Sequence, residues 1–495
     1  MKKLIFQALL LFIVPLQLFS QVFPKEGSIL NYRLIGFAFN APQPNNMSSI
    51  EIALGDFNSD SVFSKHIIIT ESTKKNKLIV EVPEFDTAYT WRVVYNGNNP
   101  SMSTLFHFRT GLIVDMDTNI NRIRITNKAK KYKDAYFFVD ENKALYDMQG
   151  HPVWYLPTPE SKNAVVRDLK ITPQGSITYV IDEQGVYEIN YNGAKIWKGP
   201  NNGVVNGDSI EHYHHEFTRL KNGHYMALAQ EMANIRRTDN IDTTLLVIPL
   251  SKIKPGEINN VYMRQPMGTL IEYDSTGKVL WSWKSSDHFS GTNILFRRTD
   301  KGPVQMHAHE NSFFFDEKTS SVYLSCRNLD RIIKIKYPEG NIIAIYGENS
   351  NTGKGLFCGQ HSCGKTADGL LYVYNNNVCN HDELSSVVMM KEPATSDDTM
   401  KKVWEYECGS EIINARGYPS GGHVTELPDH SFFVSMAYPE SRIFIVSYYT
   451  DILWCARAER KNMVTKEWAP VLNYRASIIT DRSTLEKLIW NSETK

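Results

Sequence analysis

The sequence feature that most constrains the fold is a repeat that fills the chain after Gly111. One half of the repeat is a polar turn between two apolar strands, and the other half is an apolar strand, a polar turn and a second strand ending in an aromatic residue. Two halves supply four paired strands, which is the blade of a β-propeller. Copies of the first half begin at Thr172, Lys221, Asp316, Ala367 and Pro428, and copies of the second at Ala144, Val186, Leu270, Ile333 and Ile443.

The repeats predict an all-β protein whose main body, residues 113–495, is a six-bladed β-propeller. We expect a segment near Asp134–Pro157 to complete the ring together with C-terminal strands around Lys466–Thr480. Three segments interrupt the pattern: Ile210–His215, Met232–Val261 and Ser285–Lys301. The first of these carries His215, and we expect all three to form loops at the mouth of the central channel.

A smaller module precedes the repeats. Residues 21–112 alternate short apolar strands with Pro, Asn, Asp and Gly, which predicts a small β-sandwich. The stretches Phe85–Val93 and Phe106–Gly111 resemble the last strands of an immunoglobulin-like or fibronectin type III domain, with Tyr89 as the corner tyrosine. Such modules often pair chains, so a homodimer through this domain is a hypothesis.

The first residues have the order of a secretory leader. Two lysines precede an apolar run from Leu4 to Phe19, which is followed by Ser20 and Gln21. This order predicts a signal peptide over residues 1–20. The run is too short to span a bilayer comfortably, and no later segment is apolar enough to do so. We therefore expect a periplasmic or secreted protein that does not insert into a membrane.

The charge balance argues against a nucleic-acid partner. The chain has 54 Lys and Arg residues against 54 Asp and Glu residues, a formal net charge of zero. Nucleic-acid binding draws most of its affinity from a positive field that attracts phosphates. A neutral chain lacks that long-range field, so nucleic acid is excluded as the expected partner.

The six cysteines fall in the last third of the chain and would meet an oxidising compartment after export. Cys358 and Cys363 bracket His361 closely enough to staple that loop with a disulfide, which is our expectation. A zinc site is the alternative, but the spacing fits no zinc-ribbon pattern. The six are Cys326, Cys358, Cys363, Cys379, Cys408 and Cys455.

Three histidines occupy the same phase of the repeat. His215 and His361 each lie eight residues before the glycine of the following turn, and His309 lies seven residues before Asp316. The strand that starts a blade is the innermost one, so residues at its entrance point towards the axis from separate blades. We expect the three imidazoles to converge, although any one of them alone could be an ordinary hydrogen-bonded histidine.

Further polar residues fall near this phase. In the first unit the slot that corresponds to the histidines holds Arg167 and Asp168, and in the last unit it holds Gly422 and His423.

Arg327 lies at the far end of an inner strand, and its planar guanidinium could grip two oxygens of a sulfate, phosphate or carboxylate. A structural ion pair with Asp330 is the alternative role.

Four strings resemble the arylsulfate sulfotransferase family over roughly Asp134–Tyr449. They are His-His-Glu-Phe-Thr-Arg from His214, His-Glu-Asn-Ser from His309, Ser-Cys-Arg-Asn from Ser325 and Gly-Gln-His-Ser from Gly359. The resemblance implies an exported six-bladed propeller with an N-terminal β domain. It also implies transfer of a sulfuryl group between phenols without a nucleotide donor, and hence no cofactor.

The resemblance also implies roles for individual residues. His361 matches the histidine that carries the sulfuryl group, His309 matches a second active-site histidine, and Arg327 matches the sulfate-binding arginine. His215, or its neighbour His214, matches the remaining histidine. We assign catalysis to His361, His309, His215 and Arg327, and substrate binding to Arg327, His214, Asn311 and His423, with no metal.

These roles predict a ping-pong reaction on phenolic sulfate esters and phenols. Neutral His361 would attack sulfur, Arg327 would hold the sulfuryl oxygens, and His309 or His215 would protonate the departing phenoxide. Two alternatives stay open at this stage. One is a metal-dependent propeller hydrolase or lyase in which the three histidines bind a divalent ion, and the other is a non-catalytic propeller that binds a ligand.

Overall fold

The computed structural model divides the chain into two compact units, residues 1–112 and 113–495. The predicted leader, residues 1–20, lies outside the described residues. The structure describes residues 22–40, 46–96, 100–113, 118–128, 130–157, 160, 162–236, 262–289, 293–299, 302–348, 350, 352–379, 384–395, 398–409, 420–437 and 440–492.

The first unit consists of two β-sheets. The elements are β1 (Ser28–Leu30), β2 (Leu34–Ala38), β3 (Ser48–Leu54), α1 (Asp60–Phe63), β4 (Ile67–Thr73), β5 (Lys77–Glu81), β6 (Ala88–Tyr95), β7 (Ser101–Met102) and β8 (Phe106–Thr110). One sheet has the strand order β1-β8-β6-β3-β4 with β7 added to β6, and the other pairs β2 with β5. Strands β1 and β8 run parallel, whereas the other pairs of these strands are antiparallel.

Aromatic residues from both sheets form the core of this unit. The ring of Phe37 on β2 contacts those of Trp91 and Phe108 edge-on, with centroids 4.9 and 6.0 Å apart. The Tyr89 hydroxyl accepts a hydrogen bond from Glu84 N and donates one to Glu84 O, which is the contact expected of a corner tyrosine. The immunoglobulin-like or fibronectin-like topology stays a prediction.

The second unit is built from antiparallel sheets of consecutive strands. Its strands, grouped by sheet, are β10 (Tyr136–Val139), β11 (Ala144–Asp147) and β12 (Pro152–Tyr155) with the last strand; β13 (Val166–Ile171), β14 (Ile177–Ile181), β15 (Gly185–Ile189) and β16 (Lys195–Lys198); β17 (Phe217–Arg219), β18 (Tyr225–Arg236), β19 (Tyr262–Tyr273) and β20 (Val279–Lys284); β23 (Glu310–Asp316), β24 (Ser321–Cys326), β25 (Arg331–Lys336) and β26 (Ile342–Gly347); β27 (His361–Lys365), β28 (Leu371–Asn375), β29 (Ser386–Lys391) and β30 (Lys401–Glu407); and β31 (His423–Glu426), β32 (Phe432–Ser435), β33 (Arg442–Val446) and β34 (Ile452–Lys461).

The remaining elements extend or close these sheets. Strands β9 (Asn121–Asn127) and β35 (Trp468–Pro470) both pair with β34, and β21 (Phe296–Thr299) pairs with β22 (Gly302–Gln305). The last strand, β36 (Ala476–Ile479), pairs with β10, so the two ends of the unit share one sheet. Two helices, α2 (Ser285–Phe289) and α3 (Arg482–Trp490), complete the unit.

Neighbouring sheets pack against each other in chain order. Strand β36 contacts β13, β14 contacts β17, and β23, β27, β31 and β36 contact one another in succession. The third and fourth sheets share one apolar core, which includes Leu228 and Leu324. The central strands are buried along their whole length, as in β14 and β28, because other sheets cover both of their faces.

The turns explain why the repeat is visible in the sequence. In the turn between β19 and β20, the Asp274 carboxylate accepts hydrogen bonds from the backbone N–H groups of Thr276 and Lys278. Gly277 then adopts a φ of +86°, where a side chain would be strained. Turns of this kind place an Asp or Asn and a Gly at a fixed spacing between apolar strands.

Three expectations can be compared with these elements. The all-β fold class is confirmed. The interruption at Met232–Val261 is wrong at its start, because β18 continues through Met232 to Arg236; residues 237–261 lie outside the described residues. Part of Ser285–Lys301 is likewise regular, since it contains α2 and β21.

The expected disulfide between Cys358 and Cys363 is wrong. Cys358 is bonded to Cys379, with the two Cα atoms 6.0 Å apart. Cys363 lies within β27, where its thiol is buried between Ser312 and the backbone of Tyr323. The strand direction turns Cys363 into the sheet interface and away from the loop that holds Cys358.

Within the described ranges, no helix is long and apolar enough to cross a membrane.

Candidate active site

The three in-phase histidines meet where the first strands of their sheets begin. His361 is the first residue of β27, His309 directly precedes β23, and His215 lies two residues before β17. The ring centroid of His215 is 5.5 Å from that of His309 and 5.8 Å from that of His361. The structure therefore brings together the three imidazoles that the repeat phase predicts to converge.

The backbone at these positions has a left-handed conformation. His215 and His309 have φ values of 59° and 52°, and Ser362, which follows His361, has a φ of 55°. The strand pairing shifts by a residue at Glu310–Ser312 and again at His361–Cys363. Non-glycine residues rarely adopt this conformation, and such strain concentrates at functional sites. These kinks direct each imidazole away from the regular ladder and towards its neighbours.

His214 contacts His215 directly. Their Nδ1 atoms are 2.6 Å apart, so one ring must donate a proton that the other accepts. Both rings are consequently held in complementary neutral tautomers. Burial lowers the pKa of His214 to about 4, which favours that neutral state.

Burial and neighbouring positive groups keep the other imidazoles uncharged as well. The pKa of His309 is lowered to about 3, first by burial and then by the charge of Arg327, and any proton on His307 or His214 would act in the same direction. The pKa values of His215 and His361 lie well below the usual histidine range for the same reasons. A neutral imidazole has a free lone pair, which a nucleophile or general base requires.

Arg327 lies beside the imidazoles on a short 3-10 turn that follows β24. Its backbone N–H donates to the His309 carbonyl at 3.1 Å, and its Nη1 donates to Asn328 Oδ1 at 3.3 Å. Its positive charge lowers the pKa of both His309 and His361. Arg327 therefore supplies a cation next to two of the three imidazoles.

Asn311 and His423 surround this cluster in different ways. The Asn311 amide donates to Gln360 O at 2.9 Å and is fully buried, so it ties β23 to the residue before His361. The two ring nitrogens of His423 contact the hydroxyls of Ser362 and Thr425. His423 also lines a cavity of about 750 Å³ that runs along the inner strands away from the three imidazoles.

Three residues that the sequence interpretation left without a role complete the site. The Tyr474 hydroxyl lies 2.7 Å from His361 Nε2, and the Arg167 guanidinium stacks 3.8 Å above the Tyr474 ring. Arg475 is buried next to them. Tyr474 and Arg475 directly precede β36, and the pairing of β36 with β10 shows that this strand starts the first sheet. They occupy the same phase as the histidines.

Among the residues that the structure describes, no three His, Cys, Asp or Glu side chains are arranged so that they could hold a metal ion.

Comparison with known proteins gives one family and several distant structural likenesses. No curated protein matches the chain. Solved structures that it resembles include a protein of unknown function from Bacteroides caccae (10% identity, covering 73% of this chain and 100% of that one, TM-score 0.36) and a periplasmic gluconolactonase from Pseudomonas aeruginosa (9% identity, 81% and 82%, TM-score 0.27). Likenesses this weak carry no argument. The family model described as Arylsulfotransferase (ASST) matches residues 121–262 and 257–422, more than half of the chain.

Proposed function

This chain belongs to the arylsulfotransferase family, and we propose that it moves a sulfuryl group from a phenolic sulfate ester to a phenol through a covalent intermediate on His361. The observation that carries this proposal is the convergence of three uncharged imidazoles, with His361 buried and His215 and His309 partly buried, beside the charge of Arg327. A sulfate monoester needs a nucleophile, a cation for its non-bridging oxygens and a proton for its leaving group. The site holds residues of each kind.

In the first half-reaction, His361 attacks the sulfur of the donor. The Nε2 atom is the better candidate for attack because it faces the Tyr474 hydroxyl and the cluster. The N–S bond forms as the bond between sulfur and the phenolic oxygen breaks. Arg327 neutralises the charge on the sulfuryl oxygens, as cations do in the related loose transition states of phosphoryl transfer.

The leaving phenoxide needs a proton that the free site does not hold, since its imidazoles are neutral. The donor carries a negative charge, and its arrival beside His309 favours the protonated imidazole. A proton therefore enters with the donor and leaves on the phenol. In the second half-reaction His309 or His215 takes the proton of the acceptor phenol, the new S–O bond forms, the N–S bond breaks and His361 is restored.

The decisive experiment detects the intermediate. The full chain is mixed with an activated aryl sulfate, and its intact mass is measured before and after a phenol is added. We expect a mass increase of one SO₃ group that maps to His361, disappears on adding phenol and is absent in His361→Ala. His430→Ala is the matched control, because His430 is an exposed histidine paired with Glu426. Phenol release without a protein adduct would refute the covalent step.

We also propose that the six sheets of residues 113–495 form a six-bladed propeller. Each sheet packs on the next, and the pairing of β36 with β10 joins the C-terminal end of the unit to its beginning. In a ring of this kind the first strands of all sheets surround one axis, and each blade keeps only short, protected edges. A crystal structure would test the blade count directly.

Export and pairing of chains complete the proposal. Members of a family that uses aryl sulfates outside the cytoplasm would need the leader at residues 1–20, and N-terminal sequencing of the mature protein would locate its cleavage point. A homodimer through residues 21–112 stays a hypothesis. Light scattering on the full chain tests it, and a monomer at micromolar concentration would refute it.

A further inference from the structure

Arg475 is a buried charge for which the proposed reaction has no direct use. Its side chain is 2% exposed, and it directly precedes β36. Its Nη1 donates to Asp168 Oδ1 at 3.2 Å, and its Nη2 donates to Asn311 O at 3.0 Å. Nη2 also lies 3.8 Å from Glu216 Oε2. One guanidinium thus joins the closing strand to residues at the start of β13, β17 and β23.

The partners of Arg475 hold the strand entrances on which the histidines lie. Asp168 accepts hydrogen bonds from Phe217 N at 2.9 Å and from Lys170 Nζ at 2.6 Å. Glu216, which follows His215 in the chain, accepts from Phe313 N at 3.1 Å. The network therefore spans several sheets directly next to the imidazoles, and its guanidinium compensates the buried carboxylate of Asp168 and the partly buried carboxylate of Glu216.

The charge of Arg475 also acts on the imidazoles. After burial, it has the largest effect on the pKa of His361, ahead of His309, Arg327 and His423. It lowers the pKa of His215 as well, together with His214, His309 and His361. It contributes in the same way at His423, where Lys170 adds a further positive charge. The cations near these imidazoles are Arg475, Arg327 and Lys170, and all three disfavour a proton on the rings.

We propose that Arg475 is a positioning residue, which fixes the strand entrances around the histidines through its contacts with Asp168, Glu216 and the Asn311 carbonyl. Its charge also keeps the imidazoles uncharged, because it compensates the carboxylates of Asp168 and Glu216. Arg475 does both without contacting substrate. Without the guanidinium, Asp168, Glu216 and the nearby buried Asp140 would lose their common countercharge and attract a proton to the nearest base, which includes the imidazole cluster. A protonated His361 has no lone pair and cannot attack sulfur. This inference rests on the proposed function for its catalytic consequence only.

Hydrogen–deuterium exchange at the C2 position of each imidazole measures the pKa of individual histidines in the full chain without any turnover. In the native protein we expect the pKa values of His361 and His215 to lie below the usual histidine range. In Arg475→Gln they should rise by about one pH unit or more, and the acid limb of kcat/KM should move up by the same amount. A folded Arg475→Gln with unchanged histidine pKa values would overturn the proposal.

Arg475→Lys separates charge from geometry. Its ammonium keeps the positive charge but cannot reach Asp168 and Asn311 as a planar fork does. We expect low histidine pKa values, an unchanged KM and a kcat lowered about tenfold or more. A native kcat would overturn the proposal, and this variant decides the question if Arg475→Gln does not fold.

The matched control is Arg457→Gln, which removes another buried arginine that lies near Glu440 on a different sheet. It should leave the histidine pKa values unchanged; a rise equal to that in Arg475→Gln would also overturn the proposal. The exchange measurement distinguishes the two proposals of this article. Absence of a sulfuryl adduct would refute transfer through His361, whereas the histidine pKa values would still test the role of Arg475.

Discussion

Tyr474, which precedes the closing strand β36, contacts His361 of the histidine cluster. The Tyr474 hydroxyl is 2.7 Å from Nε2, the atom proposed to attack sulfur, and Arg167 stacks on the same ring. A hydroxyl at that distance fixes the imidazole orientation and can exchange its hydrogen bond for one to a sulfuryl oxygen. It therefore contacts a reacting atom without being a nucleophile itself.

We expect Tyr474→Phe to lower kcat roughly tenfold to hundredfold with a small change in KM, because one hydrogen bond to the reacting imidazole is lost. Steady-state kinetics with an aryl sulfate and a phenol measures both constants. Tyr132→Phe is the control, since the Tyr132 hydroxyl bonds Asp429 and Ser431 away from the cluster. Equal effects of the two substitutions would contradict a specific role for Tyr474.

Because the pKa of His309 is lowered in the folded protein, we expect the free energy of unfolding to depend on pH through this residue. The folded protein binds a proton there only near pH 3, whereas an unfolded histidine binds it below about pH 6.5. Because the unfolded chain takes up the extra proton between these values, stability from this residue is present above pH 6.5 and is lost as pH falls.

The test compares the native protein with His309→Asn by urea unfolding at pH 7.5 and pH 5. Between these two values the native protein should lose about 2 kcal/mol relative to the variant, which has no imidazole at this position. The comparison cancels the buried carboxyl groups, whose raised pKa values act in the opposite direction in both proteins. Parallel pH dependence of the two free energies of unfolding would show that His309 is not held neutral.

For individual residues, the sequence predicts the three histidines of the candidate site. The phase of the repeat places His215, His309 and His361 together, because glycine turns of fixed spacing set where each inner strand begins. The same rule applies to Tyr474 and Arg475, but β36 has no glycine turn after it and pairs with a strand over 300 residues earlier. A local pattern cannot reveal a partner so distant in the chain.

Among the elements, the segment before β27 is held in place by the disulfide between Cys358 and Cys379. The bond joins this segment to the residues after β28, and Cys379 N also donates to the Cys358 sulfur. His361 follows three residues after Cys358. The disulfide therefore restrains the entrance of the strand that carries the proposed nucleophile.

We expect Cys358→Ser and Cys379→Ser to lower the free energy of unfolding by about 3 kcal/mol each. A cross-link with a sequence separation of 21 residues restricts the unfolded chain by roughly that amount. Thermal unfolding with and without a thiol reductant measures the effect. The reductant should lower the melting temperature of the native protein and leave both variants unchanged, and an equal response in all three would contradict the prediction.

The sequence interpretation of this element fails for a physical reason. Four residues separate Cys358 and Cys363, a spacing that a loop can close. However, Cys363 belongs to a strand, where alternate side chains face opposite sides and Cys363 faces the core. Cys379 is distant in sequence but adjacent across the β27–β28 hairpin. The disulfide pairing thus depends on where the strands begin and end, which the spacing of the cysteines in the sequence does not reveal.

In the molecule as a whole, no single sheet provides the residues of the candidate site. Its side chains come from β27, from the residues before β17, β23 and β36, and from the turn after β24. The arrangement depends on every sheet packing against the next. The sequence predicts this dependence through the repeat, whereas the strand that closes the unit becomes visible only in the pairing of β36 with β10.

Closure of the unit should therefore control both folding and activity. Ala476 is the first residue of β36, is 1% exposed and packs in a core with Phe137 and Trp454. We expect Ala476→Asp to lower the free energy of unfolding by several kcal/mol, because it buries an unpaired charge. Activity should be lost with it, since Tyr474 and Arg475 are placed by the same strand.

Urea titration followed by tryptophan fluorescence and by sulfuryl transfer tests this coupling. In the native protein the two midpoints should coincide, because groups from most of the sheets must stay together for the site to exist. In Ala476→Asp both midpoints should fall together. Val464→Asp is the control, since Val464 is 88% exposed and a charge there costs little. If activity disappeared well before the fluorescence change in the native protein, the site would instead open locally, and closure by β36 would not be what holds it.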